Sequence, residues 1–386
     1  MNTRLDFIYV DSGGGHRAAT NALLDVARQQ ERPWETRMLC IQDLLEEIDF
    51  VRKSTGIEFQ EIYNIILRRG WTAIAPPLVP IAHGLIKMSH TAQVRVLEKN
   101  WKANPPDMVV SLIPHYNRSM FQALARANPT APYLTIITDL ADYPPNFWIE
   151  RQNQYVVCPT VHAARQAKMA GLPERYILQA SGVILHPKFY APVSADRGAE
   201  RIKLGLKPDL PTGLILFGGE GSTEITRIVR LLDKSKLDLQ LIALCGRNDA
   251  VVSALRAAKL RIPIHVEGFS REIPHFMSLA DFFIGKPGPG SICEALAMKL
   301  PVIVERNGKT LPQERFNTRW VEEQGVGMVV KSFSQIAPAV RNMLDPKRYA
   351  GYRQAAAAMR NTAIFEIPEM IERVLEDSRK SSRLAS

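Results

Sequence analysis

Cysteine is scarce and patternless in this chain: Cys40, Cys158, Cys245 and Cys293 stand apart, with no CxxC pair and no histidine cluster beside them. Such spacing argues against a zinc centre or a disulfide framework, and it implies a reducing compartment. Long apolar runs are also missing, since none approaches the roughly 18–20 residues that span a bilayer. No charged-then-apolar leader opens the chain, whose first strand is expected about five residues in, so neither classical secretion nor a membrane crossing is expected. There is no GxxxxGK[ST], and no GxGxxG where a dinucleotide fold needs one, which disfavours a P-loop NTPase or a Rossmann dehydrogenase. Zinc fingers, RNP-like aromatic motifs and clustered basic helices are absent too, so nucleic acid is not an expected partner.

What the chain does have is apolar substance and positive charge. Hydrophobic residues make up 46% and charged residues 23% of its 386 positions, as in a globular protein with ample core. The formal net charge of +10 favours anionic partners, which phosphates of a substrate or of lipid head groups would satisfy. The length suggests two domains. Short β-branched runs alternate with helical patterns: FIYV (7–10), a helix from about His16, MVVSLI (108–113), YLTIIT (133–138) and YVVC (155–158). The same grammar restarts at GLILFGG (213–219) and continues through LQLIALCG, IPIHVEG, DFFIG and LPVIVE. Alternation of this kind implies an α/β fold of two doubly wound, Rossmann-like domains. The expected division is an N-terminal domain over 1–185, a Pro- and charge-rich hinge over 186–210, and a second domain over 211–360. A helix at 361–377 would return to the first domain, ahead of a disordered tail at 378–386. Between Phe50 and Trp101 the pattern breaks into aromatic and aliphatic residues edged by Arg68, Arg69, Lys87 and Arg95. Two readings stand: a patch for an anionic membrane surface, or an ordinary insertion packed on the first domain.

Three glycine-rich turns follow strands, and each faces the carboxyl edge of a sheet, where open α/β sheets bind ligands. They are DSGGGH (11–16), FGGEGST (217–223) and GKPGPGSICEAL (285–296). Free N–H groups at such helix starts, aided by the helix dipole, hold phosphate. One turn in the first half and two in the second suggest a ligand gripped between domains.

These stretches, together with VVSLIPHYNRSM, TIITDLADYPPNFW, ASGVILHPKFYAP, GFSREIPHFMSLADFF and LPQERFNTRWVEEQGVG, resemble the two-domain GT-B glycosyltransferases. Within them the chain is similar to the monogalactosyldiacylglycerol synthase and processive diacylglycerol glucosyltransferase group, of family 28 type. The resemblance implies a UDP-sugar on the second domain, an acceptor hydroxyl from the first, and inversion at the anomeric carbon. It implies donor contacts from Gly218, Gly219, Glu220, Gly221 and Ser222, whose N–H groups would stabilise the leaving diphosphate without a metal. The lack of a DxD pair agrees, because DLAD (139–142) has two intervening residues. Further donor contacts are expected from the Gly288, Pro289, Gly290 and Ser291 loop. Glu294 would hold the ribose diol, Gln313 and Glu314 the sugar, and the backbone at Phe269 the uracil.

His16 is the candidate general base, because imidazole titrates near neutrality, and Asp139 is its rival. Gly14, Gly15, His115 and Trp148 would lie on the acceptor side. The stretch ADYPPNFW keeps Trp148 but sets Tyr143 and two prolines where relatives carry histidine, which bears on acceptor identity more than on the donor. No cofactor is expected beyond the donor substrate, and the expected place of work is the cytoplasmic face of the cell membrane. A UDP-sugar epimerase on the same plan and a non-catalytic nucleotide-sugar sensor are the competing readings.

Overall fold

A strand that is apolar at every position must be covered on both faces, and helices alternating with such strands supply the cover. The computed structural model describes residues 3–11, 15–48, 89–192 and 196–385. Its described residues divide into two compact units, one running to Pro187 and resuming at Asn361, the other Lys188–Arg360.

In the first unit β1 (Thr3–Tyr9), β2 (Trp34–Cys40), β3 (Met108–Ser111), β4 (Tyr133–Ile136), β5 (Tyr155–Cys158) and β6 (Ile177–Gln179) form a parallel sheet. Its order is β2-β1-β3-β4-β5-β6. The winding reverses between β1 and β3, where Leu5 pairs with Met108 and Ile8 with Ser111. Ligand crevices in open α/β sheets lie outside the carboxyl ends of strands at such a reversal. Here those ends lead into the DSGGGH turn and into Leu112–Tyr116. Helix His90–Ala103 buries Val94, Leu97 and Trp101 against this sheet, so the last part of the irregular stretch is ordinary core. The rest of that stretch, to residue 88, lies outside the described residues.

The second unit repeats the plan with β7 (Thr212–Leu216), β8 (Gln240–Leu244), β9 (Ile264–Glu267), β10 (Phe282–Gly285), β11 (Val302–Glu305) and β12 (Gly327–Val330). The order is β12-β11-β10-β7-β8-β9, again parallel throughout. Its reversal falls between β7 and β10, where Leu216 pairs with Gly285. The two strands at that reversal are the ones followed by FGGEGS and by KPGPGS.

Two expectations about chain organisation are corrected. Part of the presumed hinge is folded: Asp196 caps helix Arg197–Lys203, and Arg201, buried, donates to Leu279 O and to Asp281. A buried guanidinium needs such partners, and they tie this segment to the second unit. The presumed disordered tail is helical, because helix Ala363–Ala385 runs on through it. Ser378 donates to Thr130 O at 2.9 Å and Arg379 to Thr3 Oγ1 at 2.8 Å, so the helix is held by the first unit. Among the described residues no helix is long and apolar enough to cross a membrane, and all four cysteines are buried and unpaired.

Candidate functional site

On the first unit, helix Gly15–Gln29 starts directly after the glycine turn and carries His16 in its first turn. His16 Nδ1 lies 2.8 Å from Leu112 O and 3.2 Å from Thr138 Oγ1. A carbonyl can only accept, so the ring's proton sits on Nδ1 and Nε2 keeps its lone pair. Burial pushes the His16 pKa down to about 4, so the ring is neutral at neutral pH. The partner carbonyl belongs to the exit of β3, and the helix follows β1, so this one hydrogen bond straddles the reversal of the sheet. Gly15 is exposed, with nothing within 4 Å of where a Cβ would stand. Gly14 lies outside the described residues.

Asp139 follows β4 and accepts from Trp148 Nε1 at 2.9 Å. Trp148 is itself completely buried, with its ring centroid 5.9 Å from that of His16. It therefore sits beneath the two candidate bases rather than on an acceptor-facing surface. The loop that delivers it is organised by Asp142, a buried carboxylate that accepts from the backbone N–H groups of Asn146, Phe147 and Trp148 at 3.0, 2.9 and 2.7 Å. His115, in the left-handed region at φ 68°, packs edge-on against Phe147 with centroids 4.1 Å apart. Asn117 Nδ2 ties that turn to the Trp148 carbonyl at 3.0 Å.

On the second unit the FGGEGS and KPGPGS loops flank the reversal. The first makes a tight turn, with Gly218 at φ 80° and Gly221 at φ 69°. Gly221 N donates to Gly218 O at 3.1 Å, so that N–H is committed within the turn and is withdrawn from the expected set of diphosphate donors. Among the described residues the N–H groups of Gly219 and Ser222 have no acceptor, and Ser222 Oγ accepts from Glu224 N at 3.2 Å. A Cβ on Gly221 would stand 1.9 Å from Cys245 O, which explains the glycine by packing as well as by φ. Glu220, expected among the donor contacts, instead meets the Arg247 guanidinium at 3.2 Å.

The second loop opens helix Pro289–Ala297 with Gly288 at the cap position and no side chain capping it. The first-turn N–H groups of Gly290 and Ser291 are left free for an anion, and Gly290 faces open space. Lys286 joins the loops: its Cε is 3.7 Å from where a Cβ on Gly218 would be and 3.5 Å from that on Gly288, and its Nζ is 3.8 Å from Glu314 Oε1. Glu294, one turn into the helix, is only partly exposed, and burial raises its carboxyl pKa to about 7. Helix Pro312–Glu323 carries Gln313, Glu314 and Asn317. Asn317 Nδ2 donates to Pro287 O at 2.8 Å, while Gln313 Oε1 and Asn317 Oδ1 are buried without a partner. Unsatisfied buried acceptors beside a glycine loop are groups a polyhydroxyl ligand would satisfy. Phe269 is 47% exposed, just beyond the end of β9.

Lys286 and Arg247 were not singled out in the sequence. Lys286 is the first residue after β10 and Arg247 the third after β8, the two strands that flank β7, a position that becomes visible only once strand order is known.

Residues 214–374 match the glycosyltransferase family 28 C-terminal domain. Across 378 residues the chain is 28% identical to a probable chloroplastic monogalactosyldiacylglycerol synthase of Glycine max, spanning 92% of this chain and 68% of that protein. Among solved structures, Acinetobacter baumannii MurG aligns over 96% of this chain and 99% of its own, with TM-score 0.59 and 14% identity. A UDP-GlcNAc 2-epimerase from Neisseria meningitidis, bound to UDP-GlcNAc, aligns over 97% and 100% with TM-score 0.60 and 14% identity. Those two share the fold alone. The family match over 214–374 and the synthase relative make the chain a glycosyltransferase whose second half resembles the family 28 C-terminal domain, and its two-sheet architecture is that of the GT-B plan.

Proposed function

We propose that this glycosyltransferase moves a hexose from a UDP-sugar to the hydroxyl of a lipid, with diacylglycerol the first acceptor to test, at the inner face of the cell membrane. The observation that carries the donor half is the convergence, at one sheet reversal, of two glycine loops with Lys286 between them and Glu294, Gln313 and Asn317 beside them. Backbone N–H groups and a cation suit a diphosphate, a carboxylate suits a ribose diol, and the buried amide oxygens suit sugar hydroxyls. The acceptor half rests on His16. Its Nε2 lone pair takes the acceptor proton as the hydroxyl oxygen attacks the anomeric carbon. The bond from that carbon to the β-phosphate oxygen breaks, UDP leaves with the electron pair, and the configuration inverts. The loop N–H groups and Lys286 receive the developing charge, so no metal ion is required in this scheme. Asp139 is the alternative base, and Trp148 orients it. The lipid acceptor follows the name of the Glycine max relative and the basic character of the chain.

The test is product analysis after incubating the purified chain with a panel of UDP-sugars, with and without diacylglycerol-containing vesicles. A glycolipid formed only with vesicles supports the reading and names the sugar. Interconversion of UDP-sugars without vesicles would instead identify an epimerase, the activity named for a protein of the same fold. In the His16→Ala variant, transfer should vanish with UDP binding retained; unaltered transfer removes His16 from the mechanism.

A further inference from the structure

The exit of β8 and the donor loop are interlocked. Arg247 N donates to Gly219 O at 2.9 Å, and a Cβ on Gly246 would stand 2.4 Å from that same oxygen. The backbone of Arg247 is thereby pinned to the loop, while its side chain folds back across it. The guanidinium carbon lies 4.2 Å from the centroid of the Phe269 ring, and Nη1 is 3.7 Å from the place a Cβ on Gly219 would occupy. Nη1 also meets Glu220 Oε1 at 3.2 Å, in a pair that is substantially exposed on the Arg247 side. A half-exposed ion pair is weak, so the guanidinium yields readily to a stronger anion.

From this we infer that Arg247 is a diphosphate-binding residue held in reserve, and that Glu220 occupies the guanidinium until the donor arrives. A carboxylate within a phosphate loop is otherwise hard to explain, since it repels the ligand the loop would bind. Paired with Arg247 it is neutralised in the empty protein. When a diphosphate settles on the uncommitted N–H groups of Gly219 and Ser222, the guanidinium already lies over Gly219. It exchanges a half-exposed contact with a carboxylate for a fork against phosphate oxygens, which its planar donors fit better. Phe269 serves as the platform that keeps the guanidinium flat against the loop during the exchange. Glu220 thus acts as a competitor that lowers donor affinity and assists release of UDP.

This inference rests on the donor half of the proposed function, and binding measurements separate the two. Titration of the purified full chain with UDP and with uridine, by calorimetry at fixed salt, would be compared for the unaltered protein, Arg247→Ala and Glu220→Gln. The expected result is that Arg247→Ala weakens UDP binding about 10- to 100-fold, the range for hydrogen bonds to charged groups, and leaves uridine within about twofold. Glu220→Gln is expected to tighten UDP by a few-fold and leave uridine unchanged. Equal weakening of uridine and UDP by Arg247→Ala would show that Arg247 acts on the base through Phe269 and would overturn the assignment. So would weaker UDP binding in Glu220→Gln, which would make Glu220 a support rather than a competitor. If the unaltered chain binds neither ligand, the donor reading itself falls and takes this inference with it.

Discussion

In the proposed donor site, Glu294 would link nucleoside binding to pH. Burial raises its carboxyl pKa to about 7. Only the ionised form accepts from both hydroxyls of a ribose, so the nucleoside selects the carboxylate and pulls the pKa down on binding. With a free-protein value near 7, the ionised fraction is roughly one tenth at pH 6, one half at pH 7 and nine tenths at pH 8. Uridine affinity should therefore rise about tenfold from pH 6 to pH 8, or about 1.4 kcal/mol, with about half a proton released per uridine bound at pH 7. Uridine is the right probe because, unlike UDP, it carries no phosphate that titrates in this range. Calorimetry in two buffers of different ionisation enthalpy reads both the affinity and the proton count. Glu294→Gln should bind uridine about 10- to 100-fold more weakly at pH 8, through loss of charge-assisted hydrogen bonds. Its curve should be flat with pH, so variant and parent draw together at pH 6. Flat affinity in the parent, or two parallel curves, would refute the reasoning and leave Glu294 a dipole-favouring helix residue.

His16 carries a stability signature of its own. Its folded pKa of about 4 lies below the ordinary imidazole value of 6.5, so below pH 6.5 the unfolded chain takes up a proton that the folded chain refuses. The stabilisation is full above that value and is lost as pH falls toward 4. Urea melts at pH 7 and pH 5 should show a drop smaller in His16→Gln than in the parent by at most about 2 kcal/mol, and equal drops would contradict the burial. Gly221→Ala should destabilise by about 2–4 kcal/mol, because it combines a left-handed φ with a clash against Cys245 O. Gly15→Ala, in open space at a helix start, should leave the melting temperature level or slightly raised, and a fall in transfer there would report substrate approaching the backbone. Asp142→Ala strands three backbone N–H groups and loosens Trp148 from Asp139, so kcat should fall while uridine binding, which depends on the second unit, is unchanged; weakened uridine binding would contradict that division.

Strand, glycine loop and helix could be read in order because each is local: FIYV, GLILF and DFFIG are continuous apolar runs, and the glycines that end them interrupt helix propensity. The two-sheet fold followed from that rhythm. What stayed hidden depends on neighbours distant in the chain. His16 meets a carbonyl 96 residues away, which fixes its tautomer, and nothing near position 16 announces it. Lys286 and Arg247 gain their meaning from β10 and β8 flanking β7, an order that sequence periodicity does not encode. Gly221 looked like a phosphate donor because its turn is rich in glycine, yet its N–H closes the turn that aims the others. The hinge and the tail are packed despite their polar composition, because Arg201 and Ser378 are held through polar contacts that composition does not reveal.

The two half-sites use burial in the same way toward opposite ends. In each, desolvation holds a titratable group nearer its neutral form, His16 by lowering its pKa and Glu294 by raising it. For the acid this makes ligand binding the event that completes ionisation. For the imidazole it guarantees a free Nε2 lone pair at neutral pH, at the cost of a weak base. A base with pKa near 4 does not remove the proton of a lipid alcohol ahead of bond formation, so in the proposed reaction proton transfer must accompany attack.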